Sequence, residues 1–121
     1  MNEIATKTSR EFPIDHPKKI VIDLHFTDKQ FSKLTKGFVP QAMEDKWFIY
    51  FENDELYFHR SWSGYGIYRA KLNKEENGYS IKEFWAERNK EKYKNEDDSF
   101  DIKQFSFLII RGLLGIDDNN K

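Results

Sequence analysis

The residues most able to do chemistry lie in one short stretch, 59–64. It places the imidazole of His59 and the guanidinium of Arg60 beside two serine hydroxyls, an indole and a glycine. Nine of the 22 residues in 47–68 are aromatic, so this polar group stands in a strongly aromatic segment. Arginine and the amides of a small-residue turn can bind phosphate or carboxylate, and a neighbouring aromatic ring can stack on a planar base. The stretch predicts a site for an anionic, planar-headed ligand, although the same residues also suit a plain hairpin turn.

These residues lack the geometry of a catalytic group. On a strand, His59 and Ser61 share a face but lie about 7 Å apart, too far for the hydrogen bond that activates a serine. A metal site needs three or four converging ligands, and the three histidines, His16, His25 and His59, are far apart in the sequence. We therefore expect a non-enzymatic protein with no catalytic residue, metal or cofactor. A small hydrolase acting through His59 is the enzymatic alternative.

Composition narrows the class of protein further. The chain has 121 residues, which suits one domain, with 20 basic and 21 acidic side chains and a net charge of −1. Duplex nucleic acid or an anionic membrane would favour a clustered basic excess, so neither is an expected partner. The chain has no cysteine, and residues 1–11 lack the apolar core of a secretory signal. A cytoplasmic location is the expectation.

Periodicity indicates the elements that position the stretch. Residues 19–26 alternate apolar and polar side chains, which is typical of a strand. Thr27 and Gln30 form a capping box, which predicts a short helix that ends near Gly37. Asn53-Asp54, Ser63-Gly64 and Asn77-Gly78 are turn pairs, because these residues tolerate positive φ angles. They separate four predicted strands, 47–52, 56–62, 65–72 and 79–86.

The C-terminal third predicts a buried helix. Residues 100–114 are apolar on most sides, and Ser99 is the candidate N-cap. Residues 90–98 are charged and lack apolar periodicity, which favours a solvated loop or a short helix.

Together these elements predict an α+β fold: a four-stranded antiparallel meander with a buried C-terminal helix and a short N-terminal helix. Residues 19–26 are a candidate for an extra N-terminal edge strand. Pro13 and Pro17 disfavour helix, so residues 1–17 are predicted to be a flexible N-terminal arm. Residues 18–116 are predicted to form a single α+β domain and residues 117–121 a disordered tail.

A two-residue turn at Asn53-Asp54 divides the side chains of the sheet between two faces. One face is predicted to receive the C-terminal helix: Trp47, Ile49, Phe51, Leu56, Phe58 and Ile67. The other face mixes tyrosine hydroxyls with an imidazole: Phe48, Tyr50, Tyr57, His59, Ser61 and Tyr68. It is too aromatic for water and too polar for ordinary core. The predicted ligand-binding residues are Phe48, Tyr50, His59, Arg60, Ser61, Trp62, Ser63, Tyr68 and Arg69.

A pattern of residues that extends over roughly 26–115 carries a resemblance to a protein family. The pattern comprises MEDKWFIY at 43–50, LYFHRSWSG at 56–64, Ile67-Tyr68, and FLII with LLG near the C-terminus. It resembles a family of small bacterial proteins of uncharacterised function, which implies a shared compact fold and no particular reaction. Gly66 departs from the pattern, which has a bulkier residue such as Cys there. The departure predicts extra room beside Ser61.

Our leading functional expectation is a small binding module that sequesters a nucleotide or an ADP-ribose-like ligand, in a bacterial or phage defence setting. The alternative is a protein-interaction module of the immunity or inhibitor type, in which the aromatic residues form a hot-spot patch. A cavity beside His59 would favour a small ligand, and a flat exposed Trp or Tyr surface would favour a protein partner. The oligomeric state stays open.

Overall fold

An antiparallel β-sheet organises the fold. The computed structural model describes residues 12–116, so the predictions for residues 1–11 and for the tail 117–121 lie outside it. The strands are β1 (Pro17–Phe26), β2 (Trp47–Glu52), β3 (Glu55–Arg60), β4 (Gly66–Lys71), β5 (Asn73–Glu75) and β6 (Gly78–Glu87). Their order across the sheet is β1-β6-β4-β3-β2, and β5 also pairs with β6. This confirms the α+β class, the meander and the N-terminal edge strand. The third predicted connection, between β4 and β6, adds one short strand, because β4 and β5 pair with different ends of β6.

Two helices complete the fold. Helix α1 (Asp28–Leu34) begins with the predicted capping box: Gln30 N donates to Thr27 Oγ1 at 3.1 Å, and Thr27 N donates to Gln30 Oε1 at 2.9 Å. Helix α2 (Asp98–Phe107) continues as a π-helical segment, Leu108–Leu113. The predicted N-cap of α2 is wrong, since Asp97 accepts from Ser99 N at 2.9 Å. A carboxylate at this position also interacts favourably with the helix dipole.

The first hairpin has the predicted register. Asn53 and Asp54 have φ angles of 54° and 67°, which closes a two-residue turn between β2 and β3. The resulting pairs include Ile49 with Phe58 and Phe48 with His59. Trp47 lies opposite Arg60 on the helix side of the sheet.

The second hairpin differs from the prediction, and the difference moves Tyr68 to the other face. Arg60 N donates to the Tyr65 carbonyl at 3.0 Å, so a four-residue loop replaces the expected turn. A β-bulge follows, because Gly66 pairs with His59 whereas Tyr68 pairs with Phe58. An extra residue in one strand exchanges the faces of all residues beyond it. The prediction that Tyr68 shares a face with His59 is therefore wrong.

Both helices pack on one face of the sheet. The Phe105 ring of α2 stacks on Phe84 at 4.2 Å between ring centroids and lies 5.1 Å from Phe58. The Phe31 ring of α1 lies 5.6 Å from Phe51 on the same side. Full burial of such a side chain stabilises a fold by roughly 1.5–3 kcal/mol. The opposite face, which carries His59, receives neither helix.

Candidate ligand-binding site

A cavity of about 330 Å³ lies beside His59 on the face away from the helices. Volumes near 300 Å³ are the lower end of the range for small-molecule sites. Four strands, β1, β3, β4 and β6, and the segment before β1 contribute to it. The lining residues are Pro13, Ile14, Pro17, Tyr57, His59, Gly66, Tyr68, Arg69 and Trp85.

A row of three side chains crosses the floor of this cavity. Tyr57 on β3 pairs with Arg69 on β4, and Arg69 pairs with Trp85 on β6. Directly paired residues point to the same face of a sheet, so a guanidinium stands between two aromatic side chains. The Arg69 guanidinium lies 5.8 Å from the centroid of the Tyr57 ring. The row offers ring faces for stacking and a cation for an anionic group.

Glu55 orients the guanidinium of this row. The Nε and Nη2 groups of Arg69 donate to the two carboxylate oxygens of Glu55, with a distance of 3.3 Å for the second bond. The hydrogen bond to Glu55 raises the pKa of Arg69, and burial raises the pKa of Tyr57. Arg69 is therefore cationic and Tyr57 is a neutral phenol at neutral pH. The Nη1 hydrogens point away from this ion pair and can donate to a ligand.

His59 forms one wall of the cavity and has a defined tautomer. Its Nδ1 lies 2.9 Å from the Gly64 carbonyl oxygen, and the side chain is only 4% exposed. A carbonyl oxygen can only accept, so Nδ1 carries the proton. The ring stacks on Tyr50, with centroids 5.6 Å apart and planes 17° from parallel. Sequence alone gave no sign of this partner in the loop.

The segment Phe12–His16, which we call the N-terminal strap, closes another side of the cavity. Phe12 N donates to the Gly64 carbonyl, and Gly66 N donates to the Phe12 carbonyl, both at 2.9 Å. A Cβ on Gly66 would lie 2.8 Å from that Phe12 oxygen, so only glycine admits the strap at this distance. Main chain of the strap thus fills the room that Gly66 leaves. These strap residues belong to the predicted arm 1–17, whose earlier part is outside the described residues.

The carboxylate of Glu87 anchors the other end of the strap. This fully buried side chain accepts from Asp15 N at 2.8 Å and from His16 N at 2.9 Å. It also accepts from Arg88 N and Asn89 N, each at 3.0 Å. Main-chain donors therefore stabilise the carboxylate from two segments of the chain, which ties the strap to the end of β6.

The predicted site residues separate into several places. His59 and Arg69 line the cavity, and Tyr68 contributes to its lining while its hydroxyl lies on the helix side. Tyr50 is only 3% exposed and stacks on His59, and the Phe48 ring lies 5.7 Å from the Tyr50 ring with the planes tilted by 35°. The structure therefore brings only part of the predicted set together.

Three of the four remaining predicted residues lie at a second depression of about 350 Å³. Arg60, Trp62 and Ser63 line it with Met43 and Lys46. Arg60 is on the opposite face of β3 from His59, and its guanidinium covers the Trp47 ring at 4.5 Å. Trp62 is 68% exposed, and its indole N–H donates to the Met43 carbonyl at 3.1 Å.

The Ser61 hydroxyl has a structural partner. It donates to the Asp45 carbonyl at 2.7 Å, while His59 Nδ1 is directed at Gly64. The two side chains therefore do not form a serine–histidine pair, which removes the geometric support for hydrolysis through His59. Among residues 12–116, no group of three or more acidic or histidine side chains is arranged to hold a metal ion.

Sequence reasoning missed Trp85, Gly66 and the strap as parts of the site. The place of Trp85 beside Arg69 depends on the β4–β6 register. Pro13 and Pro17 were interpreted as breakers of helix in a free arm. No local signal in the sequence indicates that a buried carboxylate at position 87 binds this segment.

A second polar cluster lies on the helix side of the sheet, around the fully buried Asp101. Its Oδ1 accepts from the hydroxyls of Tyr68 at 2.6 Å and Tyr93 at 2.7 Å. Its Oδ2 accepts from Arg88 Nη2 at 2.5 Å. Burial raises the pKa of Tyr93 to about 12, and burial with the bond to Asp101 raises the pKa of Tyr68. Residues 90–97 form a loop, as one of the two predicted alternatives for 90–98, but the loop is not solvated throughout, because Tyr93 is buried in this cluster.

Comparisons of the chain with models of protein families, with curated proteins and with solved structures give no match. Within the described part of the chain, no helix is both long enough and apolar enough to cross a membrane. The geometry of the cavity is therefore the basis for a functional proposal.

Proposed function

We propose that the protein binds a small planar-headed anion, of the size of a mononucleotide, in the cavity beneath the N-terminal strap. The observation that carries this proposal is the Tyr57–Arg69–Trp85 row at the floor of a preformed cavity. Aromatic rings provide stacking for the planar head, and the guanidinium provides charge-assisted hydrogen bonds for the anionic group.

The volume of the cavity favours a mononucleotide over a complete ADP-ribose. At about 330 Å³ it is at the lower end of the range for small-molecule sites. A ligand with a second ribose and phosphate would have to extend beyond the cavity walls. Sequestration of such a ligand in the cytoplasm, in bacterial or phage defence, is the role that we propose for this binding.

Isothermal titration with AMP, GMP, CMP, UMP, ADP-ribose and adenosine tests the proposal. We expect at least one nucleotide to bind the wild-type protein. Arg69→Gln should weaken that binding about tenfold or more, because it removes a charge-assisted hydrogen bond. It should not change any binding of adenosine, which has no phosphate. Absence of heat for every compound would overturn the proposal.

Arg60→Gln is the matched control for Arg69→Gln. Both substitutions remove one guanidinium, but Arg60 lies on the other face of β3, over Trp47. Nucleotide affinity should therefore be unchanged in Arg60→Gln. Equal losses in the two variants would indicate a nonspecific effect of charge and would contradict binding in the cavity.

The exposed pair Trp62 and Met43 favours a second candidate function, recognition of a protein partner. These residues are 68% and 74% exposed, and the hydrogen bond from the Trp62 indole to the main-chain carbonyl of Met43 holds the indole on the surface. Trp, Met and Arg are enriched in protein interfaces, and Arg60 lines the same depression. Selection of displayed peptides on the wild-type protein tests this function. Binding of the selected peptides should be lost in Trp62→Ser and retained in Phe107→Ser, which alters an exposed aromatic elsewhere.

A further inference from the structure

We propose that Gly66 and Glu87 are positioning residues that hold the N-terminal strap as the specificity-determining wall of the cavity. The proposal rests on the proposed function, since it concerns which ligands the cavity selects. The strap supplies Pro13 and Ile14 to the lining of the cavity that the Tyr57–Arg69–Trp85 row also lines. A planar ligand in the cavity would therefore lie between apolar strap side chains and the aromatic rings of the sheet.

The attachment of the strap is polar and local. At one end, a single bridge joins Phe12 to the Gly64 carbonyl and the Gly66 amide. At the other end, Asp15 N and His16 N donate to the buried carboxylate of Glu87, and the His16 carbonyl accepts from Arg88 N at 3.0 Å. Phe12 is half exposed, and the described strap buries no side chain completely.

This pattern gives the strap low local stability. Segments with few buried apolar contacts open more readily than the core, whereas hydrogen bonds to a charged acceptor stabilise the closed state. Lys92 and Asn89 also bond to the Asp15 side chain, at 2.9 and 3.1 Å. The main chain of the strap depends for its position on Glu87 and on the missing side chain of Gly66. The other residues that line the cavity belong to strands of the sheet, including Pro17 at the start of the edge strand β1.

The two positioning residues can be altered independently. Gly66→Ala places a Cβ 2.8 Å from the Phe12 oxygen and 3.2 Å from Ile14 N, which should displace the strap without changing Glu87. Glu87→Gln replaces an oxygen that accepts main-chain N–H groups with an amide nitrogen that donates. Gly112→Ala is the matched control for the first substitution, because a Cβ at Gly112 meets nothing within 4 Å.

Hydrogen exchange of the full-length protein without ligand measures strap release. In Gly66→Ala and Glu87→Gln, exchange of the Asp15 and His16 amides should become about tenfold faster or more, with no change in the core strands. In Gly112→Ala it should stay at the wild-type rate. If both variants fold but the Asp15 and His16 amides exchange no faster in either of them, the assignment of Gly66 and Glu87 as positioning residues is wrong.

The same proteins titrated with AMP and ADP-ribose test selection by the wall. We expect strap release to weaken AMP binding about tenfold and ADP-ribose binding less, which lowers the preference for the smaller ligand. AMP should also slow exchange at Asp15 and His16 in the wild-type protein. Faster exchange with an unchanged AMP preference would overturn the inference, whereas failure of every nucleotide to bind the wild type would overturn the proposed function itself.

Discussion

The two faces of the sheet each carry a cluster of tyrosine and charged side chains: the cluster on the helix side is buried, whereas the cluster on the other side borders a cavity. On the helix side, Asp101 accepts from two tyrosines, Asn95 and Arg88, and the cluster is buried beneath α2. On the other side, Tyr57, His59 and Arg69 border a cavity of about 330 Å³. Similar residue types thus serve stability where their hydrogen bonds are internal, and they can serve binding where a cavity adjoins them.

The largest expected loss of stability comes from the substitution Asp101→Asn, on the helix side of the sheet. The substitution removes the buried one of the two carboxylates that pair with the Arg88 guanidinium, Asp98 being the other. It also replaces one of the two Asp101 oxygens, which accept from the tyrosines and from Arg88, by a donor. Breaking a buried pair in this way costs about 3–5 kcal/mol in the free energy of unfolding. Urea unfolding measures the loss. A matched substitution of the partly exposed Asp98, Asp98→Asn, should cost much less, and equal losses would contradict the distinction between the two carboxylates.

A smaller loss of stability is expected at alkaline pH, where Tyr93 of the same cluster ionises. The folded state raises the pKa of Tyr93 from 10.0 to about 12 because the phenol is buried. The neutral phenol is therefore favoured in the folded protein, and this stabilisation is present below pH 10 and lost as pH rises towards 12. The loss amounts to at most roughly 3 kcal/mol. Unfolding free energies measured from pH 9 to 12 should fall less steeply in Tyr93→Phe than in the wild type.

The smallest effect on stability is expected on the cavity side. Arg69 is half exposed, and exposed ion pairs contribute about 0–1 kcal/mol, so Arg69→Gln should unfold within about 1 kcal/mol of the wild type. The same substitution should have the larger effect on nucleotide affinity. A loss of several kcal/mol in urea unfolding would place Arg69 among the structural residues and remove the contrast between the two faces.

Sequence patterns predicted the parts of the fold that local chemistry determines. The capping box at Thr27 and the Asn53-Asp54 turn depend on residues close in sequence, and the structure has both. The register after Ser61 could not be predicted in this way, because a loop of four residues and a β-bulge replaced the expected turn. One extra residue then moved Tyr68 to the helix side.

The cavity itself was only partly predictable. His59 and Arg69 were recognised from their residue types, but the contribution of Trp85 depends on strand pairing and that of the strap on Glu87, 71 residues away from His16. Sequence patterns missed the Asp101–Tyr93 contact for the same reason: the charged connector 90–98 gives no sign that its one tyrosine is buried against Asp101 of α2. Long-range contacts, rather than local preference, decide these positions.

An NMR titration of the ¹⁵N-labelled protein with AMP tests the central claim most directly. The three indole N–H groups report on three regions: Trp85 on the cavity, Trp62 on the second depression and Trp47 on the helix side. Binding in the cavity predicts saturable shifts of the Trp85 indole and the Gly66 amide, with the Trp62 and Trp47 indoles unchanged. Absence of shifts at Trp85 at saturating AMP, or shifts confined to Trp62, would contradict the account.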